Sequence, residues 1–137
     1  MSANRFDIRV LTSCGIEDHH AHLLRLDYLD RCLFFSTGND DHAVDAHCLR
    51  LLSSQAIVIG AYDNGRLRAS VEIIPDRCGQ RAAATLIAER DYQTDELADA
   101  MMTRARDEAV KHGLGRLEFV GMTGTPQTIR TQMARFA

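Results

Sequence analysis

Hydrophobic and polar residues alternate with two different periods along the chain, and these periods predict a mixture of strands and helices. From Phe6 to Val10 apolar residues alternate with charged ones, which is typical of a half-buried strand. From Ile16 to about Cys32 apolar residues recur at intervals of three and four, which predicts one amphipathic helix. A second such stripe, from Val44 to Leu52, predicts another helix, and the residues that could cap its start are Asn39, Asp40 and Asp41.

The middle of the chain predicts three antiparallel strands. Ala56 to Tyr62 and Leu67 to Ile74 are two strand-forming runs, and Asn64-Gly65 between them can supply the positive φ angles of a tight hairpin. The turn-forming segment from Pro75 to Gly79 follows. We therefore expect Arg81 to Glu89 to be the third strand of this group.

The last third predicts a helix, a strand and a final helix. Acidic residues precede an apolar stripe from Leu97 to Ala109, and Gly113 follows it as a C-terminal cap. Leu117 to Met122 is the expected fifth strand, and Thr125-Pro126 indicates the start of the last helix. The predicted order is β-α-α-β-β-β-α-β-α, an α/β (α+β mixed sheet) class with a right-handed crossover between the fourth and fifth strands.

Composition narrows the function classes. The chain has 137 residues, of which 45% are hydrophobic, so we expect one domain over residues 1–137 with a substantial core. Its net charge of −3 argues against nucleic-acid binding. The uncharged segment from Leu51 to Tyr62 is too short and too polar to span a membrane. The first residues lack the apolar stretch of a secretory signal, which predicts a reducing, cytoplasmic location.

Cysteines and histidines are the candidate metal ligands. The four cysteines form no C-x-x-C pair, so we expect four small buried thiols at Cys14, Cys32, Cys48 and Cys78. The histidines lack the tight spacing of a structural metal site, and we expect surface histidines and no metal at His19, His20, His22, His42 and His47. Asp18 and His22 are four residues apart and are expected to pair on a helix surface.

The order of elements, together with the segment from Ile87 to Ala98 that leads into the long helix, resembles the GNAT superfamily of N-acetyltransferases over nearly the whole chain. In that family a strand ends at a bulge where its backbone groups pair with pantetheine. The next helix begins with a Q/R-x-x-G-x-G/A loop whose amides hold the coenzyme A pyrophosphate. The resemblance implies main-chain contacts from Ile87 and Ala88 and a loop formed by Gln93, Thr94, Asp95, Glu96, Leu97 and Ala98.

A shorter segment and one departure qualify this resemblance. Asp27 to Phe35 is similar to the stretch before the second helix in bacterial protein-lysine acetyltransferases. In the loop, Gln93 and Ala98 match the pattern, but Glu96 replaces the first glycine. Two unit charges about 4 Å apart repel by roughly 4 kcal/mol at an effective dielectric of about 20, so Glu96 is expected to weaken coenzyme A binding. The alternative is that these acids merely stabilise the helix start.

The resemblance also suggests where acid and base groups would lie. Glu72 and Glu89 are the candidate general bases, because they lie on strands that border the cleft of this family. The alternative for each is a solvated strand carboxylate. The last helix has no tyrosine to protonate a departing thiolate, and Thr131 or Gln132 lies near that place.

Two functions from different classes follow. The resemblance implies acyl transfer from acetyl-CoA, as co-substrate, to a primary amine acceptor. The alternative is a degenerate, non-catalytic module with a regulatory, binding or assembly role. A third hypothesis is a metal or small-ligand sensor that uses the N-terminal histidines. The family usually adds two strands after the last helix, and we expect this chain to lack them and to form a homodimer through its exposed fifth strand.

Overall fold

The computed structural model describes residues 5–12, 15–35 and 38–136, and these form one five-stranded sheet and five α-helices. The strands are β1 (Asp7–Val10), β2 (Ile57–Asp63), β3 (Arg66–Pro75), β4 (Arg81–Ala88) and β5 (Arg116–Met122). The helices are α1 (Ile16–Leu24), α2 (Tyr28–Phe34), α3 (Asp41–Ser53), α4 (Asp95–Lys111) and α5 (Pro126–Arg135), and a short 3-10 turn covers Arg90–Tyr92.

The sheet is mixed, as predicted. Its strand order is β1-β2-β3-β4-β5, with antiparallel pairs from β1 to β4 and a parallel pair between β4 and β5. The predicted hairpin between β2 and β3 is confirmed, because Asn64 and Gly65 have φ angles of 51° and 79°. The crossover from β4 to β5 is made by α4, which brings the end of β4 next to the start of that helix.

The single helix predicted from Ile16 to Cys32 is wrong, since the structure has two helices there. Helix α1 ends at Leu24, and Asp27 is in an extended conformation with φ −74° and ψ 170°. Asp27 Oδ1 accepts a hydrogen bond from the Asp30 amide at 3.0 Å and so caps α2. The apolar spacing of α1 continues in the sequence beyond this break, but it does not mark a buried helix face there, because Leu29 and Leu33 are 66% and 72% exposed. The observed order therefore contains one more helix, β-α-α-α-β-β-β-α-β-α.

The helices cover the two faces of the sheet. Helix α4 packs its apolar stripe, including Leu97, Met101 and Met102, on the face formed by residues such as Val71 and Ile73. Helices α1 and α3 lie over the other face, where a smaller apolar cluster contains Leu23, Val44 and Ile87. The predicted starts of the later helices are confirmed, because Asp40, Thr94 and Thr125 each accept a capping hydrogen bond.

The cysteine prediction is partly wrong. Cys48 is buried in α3, but Cys32 and Cys78 are exposed, and Cys14 lies outside the described residues. In the ranges that the structure covers, no helix is both long enough and apolar enough to cross a membrane.

Candidate functional site

The face of the sheet beneath α1 and α3 contains a buried carboxylate held by two histidines. Glu72 is on β3 and its side chain is 3% exposed. His19 Nε2 from α1 donates to Glu72 Oε2 at 2.8 Å. His47 Nε2 from α3 lies 2.9 Å from Oε1 and 2.8 Å from Oε2. Burial alone would raise the pKa of Glu72, but the hydrogen bonds and charges of the two histidines lower it to about 2. This side chain is therefore a fully engaged carboxylate near neutral pH.

A second carboxylate lies where β4 ends. Glu89 is 7% exposed and accepts hydrogen bonds from three side chains, which are His22 Nδ1 at 3.0 Å, Arg25 Nε at 3.0 Å and Arg68 at 2.8 Å. Burial acts to raise the pKa of Glu89, and these partners outweigh it and hold the pKa below its ordinary value. Burial lowers the pKa of His22, whose Nε2 also lies 3.2 Å from the Ile87 carbonyl, so two acceptors compete for the proton of a neutral ring.

These contacts correct several expectations. Glu72 and Glu89 are buried rather than solvated, and His19 and His22 are buried rather than on the surface. The expected pairing of Asp18 with His22 is wrong, because Asp18 accepts from the Tyr62 hydroxyl at 2.8 Å and His22 turns to Glu89. A signal for the buried histidines was present, since His19 and His22 are three residues apart and so share one helix face.

The buried histidines and glutamates were also compared with the arrangement that a metal ion requires. Among residues 5–12, 15–35 and 38–136, no group of three or more histidine, cysteine or acidic side chains is arranged to hold a metal ion. The histidine and glutamate side chains instead hydrogen-bond one another at 2.8 to 3.0 Å.

At the end of β4, the main-chain groups of one residue are hydrogen-bonded to a side chain of the segment that follows β5. The Ala88 amide donates to Thr123 Oγ1 at 2.7 Å, and the same hydroxyl donates to the Ala88 carbonyl at 3.2 Å. The Thr123 amide donates to the Leu86 carbonyl at 3.0 Å, which continues the pairing of the two strands. Thr123 is 2% exposed. The main-chain polar groups of Ala88 are therefore both engaged within the protein.

At the start of α4, the capping residue binds one main-chain amide. Thr94 Oγ1 accepts from the Leu97 amide at 3.3 Å, and the Thr94 carbonyl accepts from the Ala98 amide at 3.0 Å. Asp95 and Glu96 are exposed in the first turn, where their carboxylates interact favourably with the positive end of the helix dipole. The N-terminus of this helix is thus capped and acidic.

The remaining predicted residues also have defined places. Gln93 is half-buried, and its Nε2 donates to the Ala88 carbonyl and to Asp30 Oδ2, each at 3.0 Å. Leu97 and Ala98 are buried in the core beneath α4. On α5, Thr131 is exposed and Gln132 is buried. Gln93 therefore connects α2 to the end of β4, a role that the sequence did not indicate.

The parallel pair of strands changes register close to this site. Ala84 is opposite Phe119 and Thr85 is opposite Gly121, so Val120 is an extra residue in β5. A Cβ atom on Gly121 would lie 3.0 Å from the Phe34 ring, so a larger residue there would require this ring to shift. Helix α2 thereby packs against the point where the two strands change register.

Comparison with known proteins gives similarity in structure only. No protein-family profile matches the chain, and no curated protein matches it in sequence. The GNAT domain of PAT from S. lividans is similar with a TM-score of 0.72 and 11% identity, covering 96% of this chain and 80% of that one. A ribosomal-protein-alanine N-acetyltransferase from Brucella melitensis biovar Abortus 2308 has a TM-score of 0.66 and 18% identity, with 96% and 91% covered.

A predicted acetyltransferase with acetyl-CoA from Clostridium acetobutylicum is also similar, with a TM-score of 0.63, 14% identity and 92% and 87% of the two chains covered. This chain has the fold of the GNAT N-acetyltransferases.

Proposed function

We propose that this chain is a non-catalytic GNAT-fold module with a binding role. In this proposal, contacts within the protein take the places that coenzyme A occupies in a GNAT enzyme. The observation that carries the proposal is the 2.7 Å hydrogen bond from the Ala88 amide to Thr123 Oγ1. Function depends on the site rather than on the fold, so the fold does not by itself require acetyl transfer.

The first support comes from the end of β4. A pantetheine chain that pairs with Ala88 would have to displace the Thr123 hydroxyl from both the amide and the carbonyl. Thr123 is buried, so a displaced hydroxyl would also lose its partners without gaining water. Each such displacement costs on the order of 1–3 kcal/mol for the group left unsatisfied.

The second support comes from the start of α4. A pyrophosphate at this helix would compete with Thr94 for the Leu97 amide. It would also approach the carboxylates of Asp95 and Glu96, which carry charge of the same sign as the ligand. The helix dipole contributes about 1 kcal/mol of attraction, and two unit charges at about 4 Å repel by roughly 1 to 4 kcal/mol between bulk water and an effective dielectric of about 20, so the repulsion equals or exceeds the attraction.

The third support comes from the candidate bases. A general base works best when its pKa lies near the working pH. The pKa of Glu72 is lowered to about 2 and that of Glu89 is also lowered, so both are poor proton acceptors near neutral pH. Their existing partners occupy the carboxylate oxygens that would have to accept a proton from an amine.

The test is calorimetric titration of coenzyme A and acetyl-CoA into the wild-type protein and into Thr94→Gly/Glu96→Gly. We expect no heat of binding for wild type at millimolar ligand and only weak affinity for the double variant, because the variant frees an amide and removes one like charge while Thr123 still engages Ala88. Thr103→Gly/Asp107→Gly, at exposed positions later in α4, is the matched control for helix destabilisation. Micromolar binding by wild type would contradict the proposal.

Acetyl transfer to a primary amine is the second candidate function. It is favoured by the parallel β4–β5 pair with its change of register, and by Gln93 and Ala98, which retain the residues of the loop pattern. Incubation of wild type with acetyl-CoA and a set of primary amines, with detection of free thiol and acetylated amine, distinguishes the two candidates. Thiol release that depends on the amine would favour the enzyme.

The assembly that we propose for the module is a homodimer formed through β5. This strand is an edge of the sheet in the part of the chain that the structure describes, and Arg116 and Glu118 are exposed on it. An antiparallel pair of β5 strands centred on Leu117 would place Arg116 of each copy opposite Glu118 of the other. Sedimentation velocity should show a dimer that Glu118→Arg weakens and that Arg116→Glu/Glu118→Arg restores. A wild-type monomer at micromolar concentration would contradict it.

A further inference from the structure

An open groove lies between the neighbouring helices α1 and α3, and its volume is about 560 Å³. The residues that line this α1–α3 groove are Ile16, Glu17 and His20 from α1, and Asp45, Cys48, Leu49 and Leu52 from α3. The groove shares no residue with the contacts of Ala88 and Thr123 or with the start of α4. It is therefore a surface separate from the β4–α4 region.

The floor of the groove is an apolar stripe of α3. Cys48, Leu49 and Leu52 lie three, four and seven residues after Asp45, so all four share one helix face. Burial raises the pKa of the Cys48 thiol to about 11, so the thiol is uncharged near neutral pH. Leu49 and Leu52 are 66% and 54% exposed. Neighbouring leucines that line a concave surface and remain in water indicate an interaction site.

The rim of the groove is acidic. Glu17 and Asp45 are exposed on its two sides, and His20 Nε2 lies 2.6 Å from Asp45 Oδ1. With neutral histidines, α1 and α3 together have a formal charge of −3, from four acidic residues and one arginine. The whole chain has the same net charge, so its remaining segments are neutral overall. Charge complementarity therefore favours a positively charged partner at these two helices.

We propose that the α1–α3 groove binds a basic amphipathic helix of a partner protein. Its aliphatic side chains pack on Leu49 and Leu52, and its lysine or arginine side chains pair with Glu17 and Asp45, which is the helix-in-groove mode of recognition. This inference rests on the binding role proposed above, because it names the partner. The two can fail separately, since coenzyme A titration tests the β4–α4 region and peptide titration tests the groove.

The test is fluorescence-anisotropy titration of the wild-type protein with a labelled 14-residue helical peptide of leucine and lysine, whose leucines form one stripe. One control peptide has glutamate in place of lysine, and another has the same composition with leucines on all sides of the helix. We expect the first peptide to bind about tenfold more tightly than either control, and less tightly as salt is added. Equal affinity for the lysine and glutamate peptides, or no binding of the lysine peptide, would overturn the proposal.

Paired leucine substitutions locate the peptide. Leu49→Ser/Leu52→Ser removes apolar contacts and should weaken binding about tenfold or more. Leu29→Ser/Leu33→Ser changes two leucines of α2 that are at least as exposed, and should leave the affinity unchanged. All four positions are on the surface, so both variants should fold like wild type. Equal weakening by the two pairs would place the peptide elsewhere and overturn the proposal.

Neutralising the rim tests the charge complementarity. Glu17→Gln/Asp45→Asn should weaken binding of the lysine peptide about threefold at low salt, which is typical of two exposed ion pairs. Asp107→Asn/Glu118→Gln removes the same charge at exposed positions outside the groove and should have a smaller effect. The same loss from both pairs would mean that net charge alone attracts the peptide, which would overturn the proposal.

A second copy of the chain is the other occupant to be tested. Sedimentation velocity should give the same oligomeric state for wild type and for Leu49→Ser/Leu52→Ser, which would support a partner helix in the groove. Loss of a wild-type dimer in this variant would show that a second copy covers the groove and would overturn the proposal.

Discussion

The two faces of the sheet bury very different side chains. Among the described residues, seventeen buried apolar side chains form one cluster between α4 and the sheet, and many of them are alanines that let helix and sheet approach closely. In the same ranges, the face beneath α1 and α3 has an apolar cluster of seven residues and also buries Glu72, Glu89, His19 and His22. The first face lowers the free energy of folding by removing apolar surface from water. On the second face, charged groups are removed from water, and the free-energy cost of this desolvation must be offset by ion pairs and hydrogen bonds.

This difference shows where stability and chemistry lie in the molecule. The apolar core consists of alanine, methionine and other aliphatic residues and is tightly packed. Substitutions that change side-chain volume there should therefore change the stability of the protein and little else. A buried network responds to protonation and to the loss of a single partner. Substitutions on the two faces should therefore separate these two responses.

Removing volume from the apolar face should have the largest effect. Met101 is fully buried in α4, and Met101→Ala should lower the free energy of unfolding by about 4 kcal/mol through lost burial and a residual cavity. Val110→Ala, in the same helix but 75% exposed, should change it by about 0.5 kcal/mol or less. Urea unfolding followed by circular dichroism measures both. Similar losses for the two variants would contradict the packing of α4.

Acid should destabilise the polar face. The pKa of Glu72 is lowered from 4.5 to about 2 in the folded protein, so its contribution is present above pH 4.5 and is lost as pH falls toward 2. A shift of this size corresponds to about 3 kcal/mol. The lowered pKa of Glu89 acts in the same direction. Unfolding free energies measured across this pH range should fall steeply for wild type and less steeply for Glu72→Gln. Parallel curves would refute the assignment.

Removing the hydrogen bonds between Thr123 and Ala88 should have an intermediate effect on stability. Thr123→Val keeps the shape of the side chain but leaves the Ala88 amide without its acceptor, so we expect a loss of about 2 kcal/mol. Thr131→Val, at an exposed position in α5, should cost about 0.5 kcal/mol or less. Amide hydrogen exchange at Ala88 should accelerate only in the first variant. Unchanged protection there would argue against the hydrogen bond.

The helix cap at Thr94 should have the smallest effect of the four. Thr94→Ala removes the acceptor for the Leu97 amide and should lower stability by about 1 kcal/mol. Thr103→Ala, an exposed position in the middle of the same helix, should be neutral or slightly stabilising because alanine is the better helix former. Thermal unfolding of the pair measures the difference. Equal melting temperatures would show that the cap contributes nothing.

Local sequence determined most of the secondary structure. The β2–β3 hairpin follows from Asn64-Gly65, the start of α5 from Thr125-Pro126, and the extent of α4 from its stripe and from Gly113, whose φ is 73°. Each depends on conformational preferences within a few residues. The one helix that failed did so at Asp27, where capping interrupted a stripe that periodicity alone could not divide.

Only the tertiary structure decided the site. His19 and Glu72 are hydrogen-bonded although 53 positions separate them in the sequence, and Thr123 and Ala88 are hydrogen-bonded although 35 positions separate them. A sequence identifies such residues as titratable or polar, but their pKa and their availability to a ligand depend on burial and partners that arise from packing. The sequence therefore predicted which residues form the β4–α4 loop. The packing of distant segments decided the hydrogen bonds of Ala88 and the burial of Glu72 and Glu89.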